Sequence, residues 1–144
     1  MKFERGPESE VSTGGALPEY EIYGKTTVVK TMHQRKKMMA EEVRDGGEGS
    51  GFVAMPGGYG TLEELFEITT WSQLGILKRG VTVLNVNGYF DNLLKIVENA
   101  VDTEFISEGN RNIIGVAKDG EEVVALLKNY VPPAGQMDLQ WDNF

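Results

Sequence analysis

Phe52-Val53-Ala54-Met55-Pro56-Gly57-Gly58-Tyr59-Gly60-Thr61-Leu62-Glu63-Glu64 is the stretch whose reading decides the fold. An apolar run, Phe52–Met55, comes first. Three glycines follow within four positions, and then a helical pattern of Leu62, Leu65, Phe66 and Thr69. That order reads as strand, glycine-rich turn and helix start. A helix N-terminus carries backbone N–H groups without intrahelical partners and a partial positive charge, and glycine lets an anion come close to that backbone. The stretch therefore predicts a phosphate cradle with an acid, Glu64, one turn behind it. It is not a Walker loop, because no Gly-Lys-Ser/Thr follows. The dinucleotide fingerprint also fails, since its third glycine would fall at Glu63.

Thr61 and Glu64 admit two readings. With Thr61 as N-cap and Glu64 three residues on, they form a capping box that only stabilises the helix. Alternatively, Glu64 projects over the phosphate toward a sugar. There a carboxylate can hydrogen-bond ribose hydroxyls, orient a water or stabilise an oxocarbenium-like transition state. Glu63 points about 100° away and is the weaker candidate. Glu67, a turn further on, is expected to be solvated.

Outward from this stretch, strands alternate with helices. Thr26–Val29 is β-prone, and a helix is expected from Thr31, its N-cap, to about Arg44. Asp45–Gly51 is a polar, glycine-dotted loop. The helix after the turn is expected over 61–74. Val81–Val86 is a mostly apolar strand, of the kind covered on both faces. Asn87-Gly88 turns into a helix holding Phe90, Leu93, Leu94, Val97 and Val101. A short strand at Ile113–Val116 and a helix over 121–130 follow, stopped by Pro132-Pro133. This alternation predicts an α/β fold, a parallel sheet with flanking helices. Ligands of such sheets bind beyond the carboxyl ends of the strands, where Gly57–Gly60 falls. Residues 1–15 read as a disordered or remnant segment, 16–131 as the domain, and 132–144 as a loose tail in which Trp141 and Phe144 could dock.

The chain has 144 residues, enough for one core, and a formal net charge of −8 from 22 acids and 14 bases. That balance opposes broad attachment to nucleic acid or to an anionic membrane. Cysteine is absent and His33 is the only histidine, which excludes a thiolate nucleophile and a multi-histidine metal site within one chain. No run approaches the roughly 18 apolar residues of a spanning helix, and no signal peptide is visible, so a cytoplasmic setting is expected. Against the acidic background, bases cluster at Met32-His33-Gln34-Arg35-Lys36-Lys37. The cluster is either a solvated helix face or a phosphate grip, with Arg35 bidentate and Lys36 a point charge. His33, without a visible partner, reads as a packing or capping residue.

Met32-His33-Gln34-Arg35-Lys36 and Pro56-Gly57-Gly58-Tyr59-Gly60-Thr61-Leu62-Glu63-Glu64 together closely resemble the LOG ("lonely guy") family. Its members are cytokinin riboside 5′-monophosphate phosphoribohydrolases, long labelled lysine decarboxylases. The signature Pro-Gly-Gly-x-Gly-Thr-x-x-Glu is matched in full by Pro56–Glu64. The similarity continues through Trp71–Ile76 and Leu84–Phe90, covering about residues 22–130. The resemblance implies a Rossmann-like fold and a homodimer. It also implies cleavage of the N-glycosidic bond of an adenine-type nucleoside 5′-monophosphate, AMP or a cytokinin ribotide, to free base and ribose 5-phosphate. By the same resemblance Gly57, Gly58, Gly60 and Thr61 hold the 5′-phosphate, and Tyr59, Glu63 and Lys36 are further substrate-binding positions. Arg35 and Glu64 are the essential catalytic pair, and neither metal nor organic cofactor is required. Nothing in the sequence resembles a pyridoxal phosphate site. The family's two opening strands, each with its turn and helix, have no counterpart here. The expected sheet therefore lacks the family's N-terminal strands and has a raw edge. That leaves a non-catalytic nucleotide-phosphate-binding remnant as the alternative to a working hydrolase. Related Rossmann-like families that carry molybdenum cofactor or bind single-stranded DNA fit less well, given the net charge and the Met-His-Gln-Arg-Lys motif.

Overall fold

The structure is a computed structural model that describes residues 19–137 and 139. The chain divides into two compact units, residues 1–41 and 42–144. The expectations for residues 1–15, Trp141 and Phe144 lie outside the described residues.

In the first unit, a single helical turn, α1 (Tyr20–Tyr23), precedes irregular chain, and the long helix α2 (Met32–Asp45) then begins. The start of α2 is written in its sequence. Thr31 Oγ1 accepts from the Gln34 amide at 3.1 Å, and Gln34 Oε1 accepts from the Lys30 amide at 3.2 Å. One donor of the first turn and the amide just ahead of the cap are thus satisfied reciprocally. The expected strand at Thr26–Val29 does not form. β-Prone residues make a strand only where a neighbour takes their backbone bonds, and no described strand pairs with this segment.

The second unit is built on a three-stranded parallel sheet. The strands β1 (Gly51–Ala54), β2 (Gly80–Leu84) and β3 (Ile114–Ala117) lie in the order β1-β2-β3. Helices α3 (Tyr59–Gln73), α4 (Asp91–Asp102) and α5 (Gly120–Lys128) alternate with them. The expected α/β architecture is therefore present, as a parallel sheet flanked by helices. Side-chain alternation along the strands sorts the core. On one face Ala54, Val81, Val83 and Ile114 pack with Leu65 and Ile68 of α3 and with Phe90, and Leu93, Leu94 and Val97 of α4 complete the layer. Leu65, Val83 and Phe90 are almost wholly excluded from solvent.

The other face is cut back to take α5. Gly51 and Gly80 are register partners on adjacent strands, and Thr82 pairs with Gly115. A Cβ at Gly80 would stand 2.8 Å from Leu127 Cδ2, and one at Gly115 would stand 3.5 Å from Leu126 Cδ1. The small residues let α5 lie directly on the backbone of β2 and β3. Its own start is capped, Asp119 Oδ1 accepting from the Glu122 amide at 2.9 Å and Glu122 Oε2 from the Lys118 amide at 2.7 Å.

Two loops are fastened by arginines. Arg79 Nη2 donates to the carbonyls of Arg44 and Gly46, both at 2.8 Å, closing the last turn of α2. Arg111 bonds Glu108 and Asp102 behind α4 and holds the Glu108 carboxyl below its ordinary range. Part of the stretch expected as a loose tail is fastened as well. The Met137 amide donates to the Gln73 carbonyl at 2.8 Å and Gln136 Nε2 to the Ser72 carbonyl at 2.7 Å.

The glycine face yields a stability test. At Gly51 a Cβ would meet the Gly80 carbonyl oxygen at 2.6 Å as well as Leu127. Gly51→Ala should destabilise the protein by about 1–3 kcal/mol, the usual cost of overpacking. Adding Leu127→Ala should not restore the loss, because the carbonyl cannot move aside. Urea unfolding of the single and double variants measures both.

Candidate functional site

The chain leaves β1 at Ala54 and enters α3 at Tyr59, with only four residues between them. The helix starts two residues before Thr61, the expected start. Gly58 is its N-cap, in extended conformation, and its carbonyl accepts from the amides of Thr61 at 3.0 Å and Leu62 at 3.2 Å. Thr61 is therefore the third residue of the helix and not its cap, and the capping-box reading of Thr61 and Glu64 is wrong. The reason is steric. Glycine at 57 lets the chain pass close to the Thr61 side chain, so the cap falls on Gly58. A glycine cap brings no side-chain acceptor. The N–H groups opening α3 thus keep their capacity to bind an anion.

The three glycines are not equivalent. A Cβ at Gly57 would stand 3.0 Å from Thr61 Cβ and fall on the Thr61 hydroxyl. Packing alone demands glycine there. At Gly58 and Gly60 a Cβ would meet no atom within 4 Å, and both residues are exposed. Neither the fold nor, at Gly58, the backbone angles (φ −93°) require their glycine. Their missing side chains instead leave the first turn of α3 open to close approach.

The acids separate by helical phase. At about 100° per residue, Glu64 lies on the flank of the buried Leu65–Ile68 stripe and Glu63 on nearly the opposite side. Accordingly Glu64 is half-buried and Glu63 exposed. Glu67, expected to be solvated, is also half-buried, although it lies only about 40° from Glu63 around the helix. Tyr59 stands out from the first turn at 93% exposure. Gly57–Glu64 are thus gathered at the C-terminal end of β1 in the second unit. Arg35 and Lys36, both partly exposed, and the exposed His33 lie on the opening turns of α2 in the first unit. Gln34, within the same basic motif, is committed to capping α2. Among the described residues no group of three or more His, Asp or Glu side chains is placed to hold a metal ion. None of their helices is long and apolar enough to cross a membrane.

Sequence reasoning did not single out Tyr89. β2 runs beside β1 in parallel, so the segment leaving β2 lies beside the glycine turn. There the Tyr89 hydroxyl donates to the Gly57 carbonyl. Tyr89 is itself held, since its ring meets the buried Phe90 edge to face at 5.0 Å. Asn85 Oδ1 accepts from the Phe90 amide and Asn85 Nδ2 donates to Asp91, both at 2.8 Å. The signal available beforehand was Asn85-Val86-Asn87-Gly88-Tyr89, which marks a turn but not which side chain reaches across to residue 57.

Residues 7–127 match a family model described as "possible lysine decarboxylase". The chain is 50% identical over 119 residues to a bifunctional cytokinin biosynthesis protein of Fusarium pseudograminearum, covering 83% of this chain and 24% of that one. It is 44% identical over 125 residues to the cytokinin riboside 5′-monophosphate phosphoribohydrolase LOG2 of Arabidopsis thaliana (85% and 56% covered). With LOGL5 of Oryza sativa, a probable enzyme of the same name, it shares 42% identity over 138 residues (92% and 54% covered). The chain thus spans about half the length of the plant relatives. With the glycine turn and the helix behind it in place, and the match running through most of the sequence, the chain belongs to the LOG family, whose family model still carries the decarboxylase description.

Proposed function

We propose that the chain hydrolyses the N-glycosidic bond of an adenine-type nucleoside 5′-monophosphate, AMP or a cytokinin ribotide, to free base and ribose 5-phosphate. The observation that carries this reading is the pair of unforced glycines. Gly58 and Gly60 are glycine where packing does not ask for it, at the start of a helix on the C-terminal side of a parallel sheet. A 5′-phosphate on those N–H groups explains both. Thr61 adds a hydroxyl and Tyr59 stands exposed on the same first turn, while the family resemblance assigns Arg35, Lys36 and Glu63 to substrate binding as well. The names of the relatives point to the same substrate class.

The chemistry follows from charge development. The bond from ribose C1′ to the base nitrogen breaks, and its electron pair leaves with the base. A water oxygen bonds to C1′, and a proton of that water ends on the base. Positive charge grows on the ribose before the water arrives. Glu64, half-buried on α3, stabilises that charge and positions the water. A carboxylate about 4 Å from a full positive charge contributes roughly 4 kcal/mol at an effective dielectric near 20, about a thousandfold in rate. By the family resemblance, Arg35 anchors the nucleotide. In this reading the enzyme works as a cytoplasmic homodimer. Support for the dimer comes from the family resemblance and from β1, whose outer edge no described strand covers.

Purified protein incubated with AMP or isopentenyladenosine monophosphate should release free base, measured by chromatography. Glu64→Gln should lower kcat by about 10²–10³ while AMP still raises Tm. Binding without release would make the chain a nucleotide-phosphate-binding remnant, and absence of both would exclude either role.

The glycines predict opposite phenotypes. Gly58→Ala should leave Tm unchanged and raise KM for AMP by about tenfold or more, roughly 1.4 kcal/mol. Gly57→Ala should unfold more readily, by about 1–3 kcal/mol, because its methyl meets Thr61. Thermal melts and steady-state kinetics on the two variants separate the effects.

A further inference from the structure

The Tyr89 hydroxyl lies across from the phosphate turn yet bonds a backbone carbonyl in it. That carbonyl, Gly57 C=O, belongs to the same planar unit as the Gly58 N–H. In a trans peptide the two point in opposite directions, so holding one aims the other. The unit sits between two glycines, where the backbone has its widest freedom and the peptide plane turns most easily. On its far side the next unit is already fixed, because the Gly58 carbonyl accepts from the Thr61 and Leu62 amides. Without Tyr89, the Gly57–Gly58 plane could rotate against that fixed neighbour.

The tyrosine is placed to resist that rotation. Asn87 and Gly88 are both left-handed (φ 51° and 71°), which folds the loop sharply back toward residue 57. Asn85 ties that loop at Phe90 and Asp91, and its own amide donates to the Ala117 carbonyl at 2.7 Å on β3. The tyrosine is thus referenced to two strands. A hydrogen bond on the carbonyl also polarises the peptide and strengthens its N–H as a donor.

We propose that Tyr89 is a positioning residue, which locks the Gly57–Gly58 peptide so that the Gly58 N–H donates to the substrate's phosphate. The proposal rests on the phosphate reading of this turn but not on hydrolysis. It assigns Tyr89 no contact with the base.

The test uses the full chain and Tyr89→Phe, which keeps the ring and its contact with Phe90. Ribose 5-phosphate and adenosine serve as probes, one with the phosphate and one without. Titration calorimetry should show ribose 5-phosphate bound roughly three- to tenfold more weakly by the variant, the size of one lost hydrogen bond. Adenosine affinity should be unchanged. If AMP is turned over, KM should rise by the same factor and kcat fall less than threefold. Independently of ligand, the ¹⁵N–¹H resonance of Gly58 should shift or broaden in the variant while the amides of β2 and β3 stay put. Equal affinity of both proteins for ribose 5-phosphate would overturn the proposal, as would an unchanged Gly58 resonance, an equal loss of adenosine binding or a wild-type chain that binds no ribose 5-phosphate. Tyr89-dependent ribose 5-phosphate binding without base release from AMP would support the proposal and refute the hydrolase reading.

Discussion

Close approach of the chain to the Thr61 side chain at Gly57 is the constraint on which the site depends. Because no Cβ intervenes, β1 passes into α3 through four residues, and the helix opens on Gly58. A side chain at 57 would push the turn outward and delay the helix. The N–H groups of the first turn would then leave the end of the sheet, and Glu64 would lose its place on the flank of the buried stripe. One steric requirement thus sets the helix dipole, the backbone donors and the candidate carboxylate together. The parallel pairing of β1 with β2 adds the second support, because it brings the segment after β2 alongside this turn.

Much of this was legible in the sequence because period and punctuation agree. Val81–Val86 is mostly apolar, and its first four residues proved to belong to the central strand Gly80–Leu84, almost wholly buried, while Val86 opens the following turn. The α4 pattern and Thr31 as a cap were readable for the same reason, since local chemistry and tertiary packing select the same conformation. Thr26–Val29 shows the limit. Its β-branched residues favour extended chain, but a strand also needs a partner, and partners are not written in a local window. The start of α3 was misjudged on similar grounds. Thr61 is the better N-cap by side chain, whereas the cap position was decided by the close approach at Gly57.

The candidate site was half legible. The Gly57–Glu64 turn announces itself by composition, and the basic motif at Arg35 stands out against an acidic chain. Composition could not divide the labour among the glycines. Only built Cβ positions separate Gly57, held by packing, from Gly58 and Gly60, which packing leaves unconstrained. Tyr89 was missed because its contact spans 32 residues and ends on a carbonyl, which carries no side-chain signature.

For an acidic chain, the proposed binding of a phosphate dianion presents an apparent conflict, which distance and timing would resolve. At physiological salt, charges beyond about 8 Å are largely screened. What the phosphate feels is the first turn of α3 and the groups near it, not the net charge of −8. Glu63 is turned to the far side of the helix, while Glu64 is half-buried on the flank of the core stripe. A carboxylate beside a bound anion is unfavourable in the ground state. In the proposed reaction it would become favourable only when positive charge develops on the ribose between them. Its interaction is therefore stronger in the transition state than in the Michaelis complex, the one kind of interaction that accelerates a reaction. A binding module would gain by losing Glu64, whereas a hydrolase has a use for it.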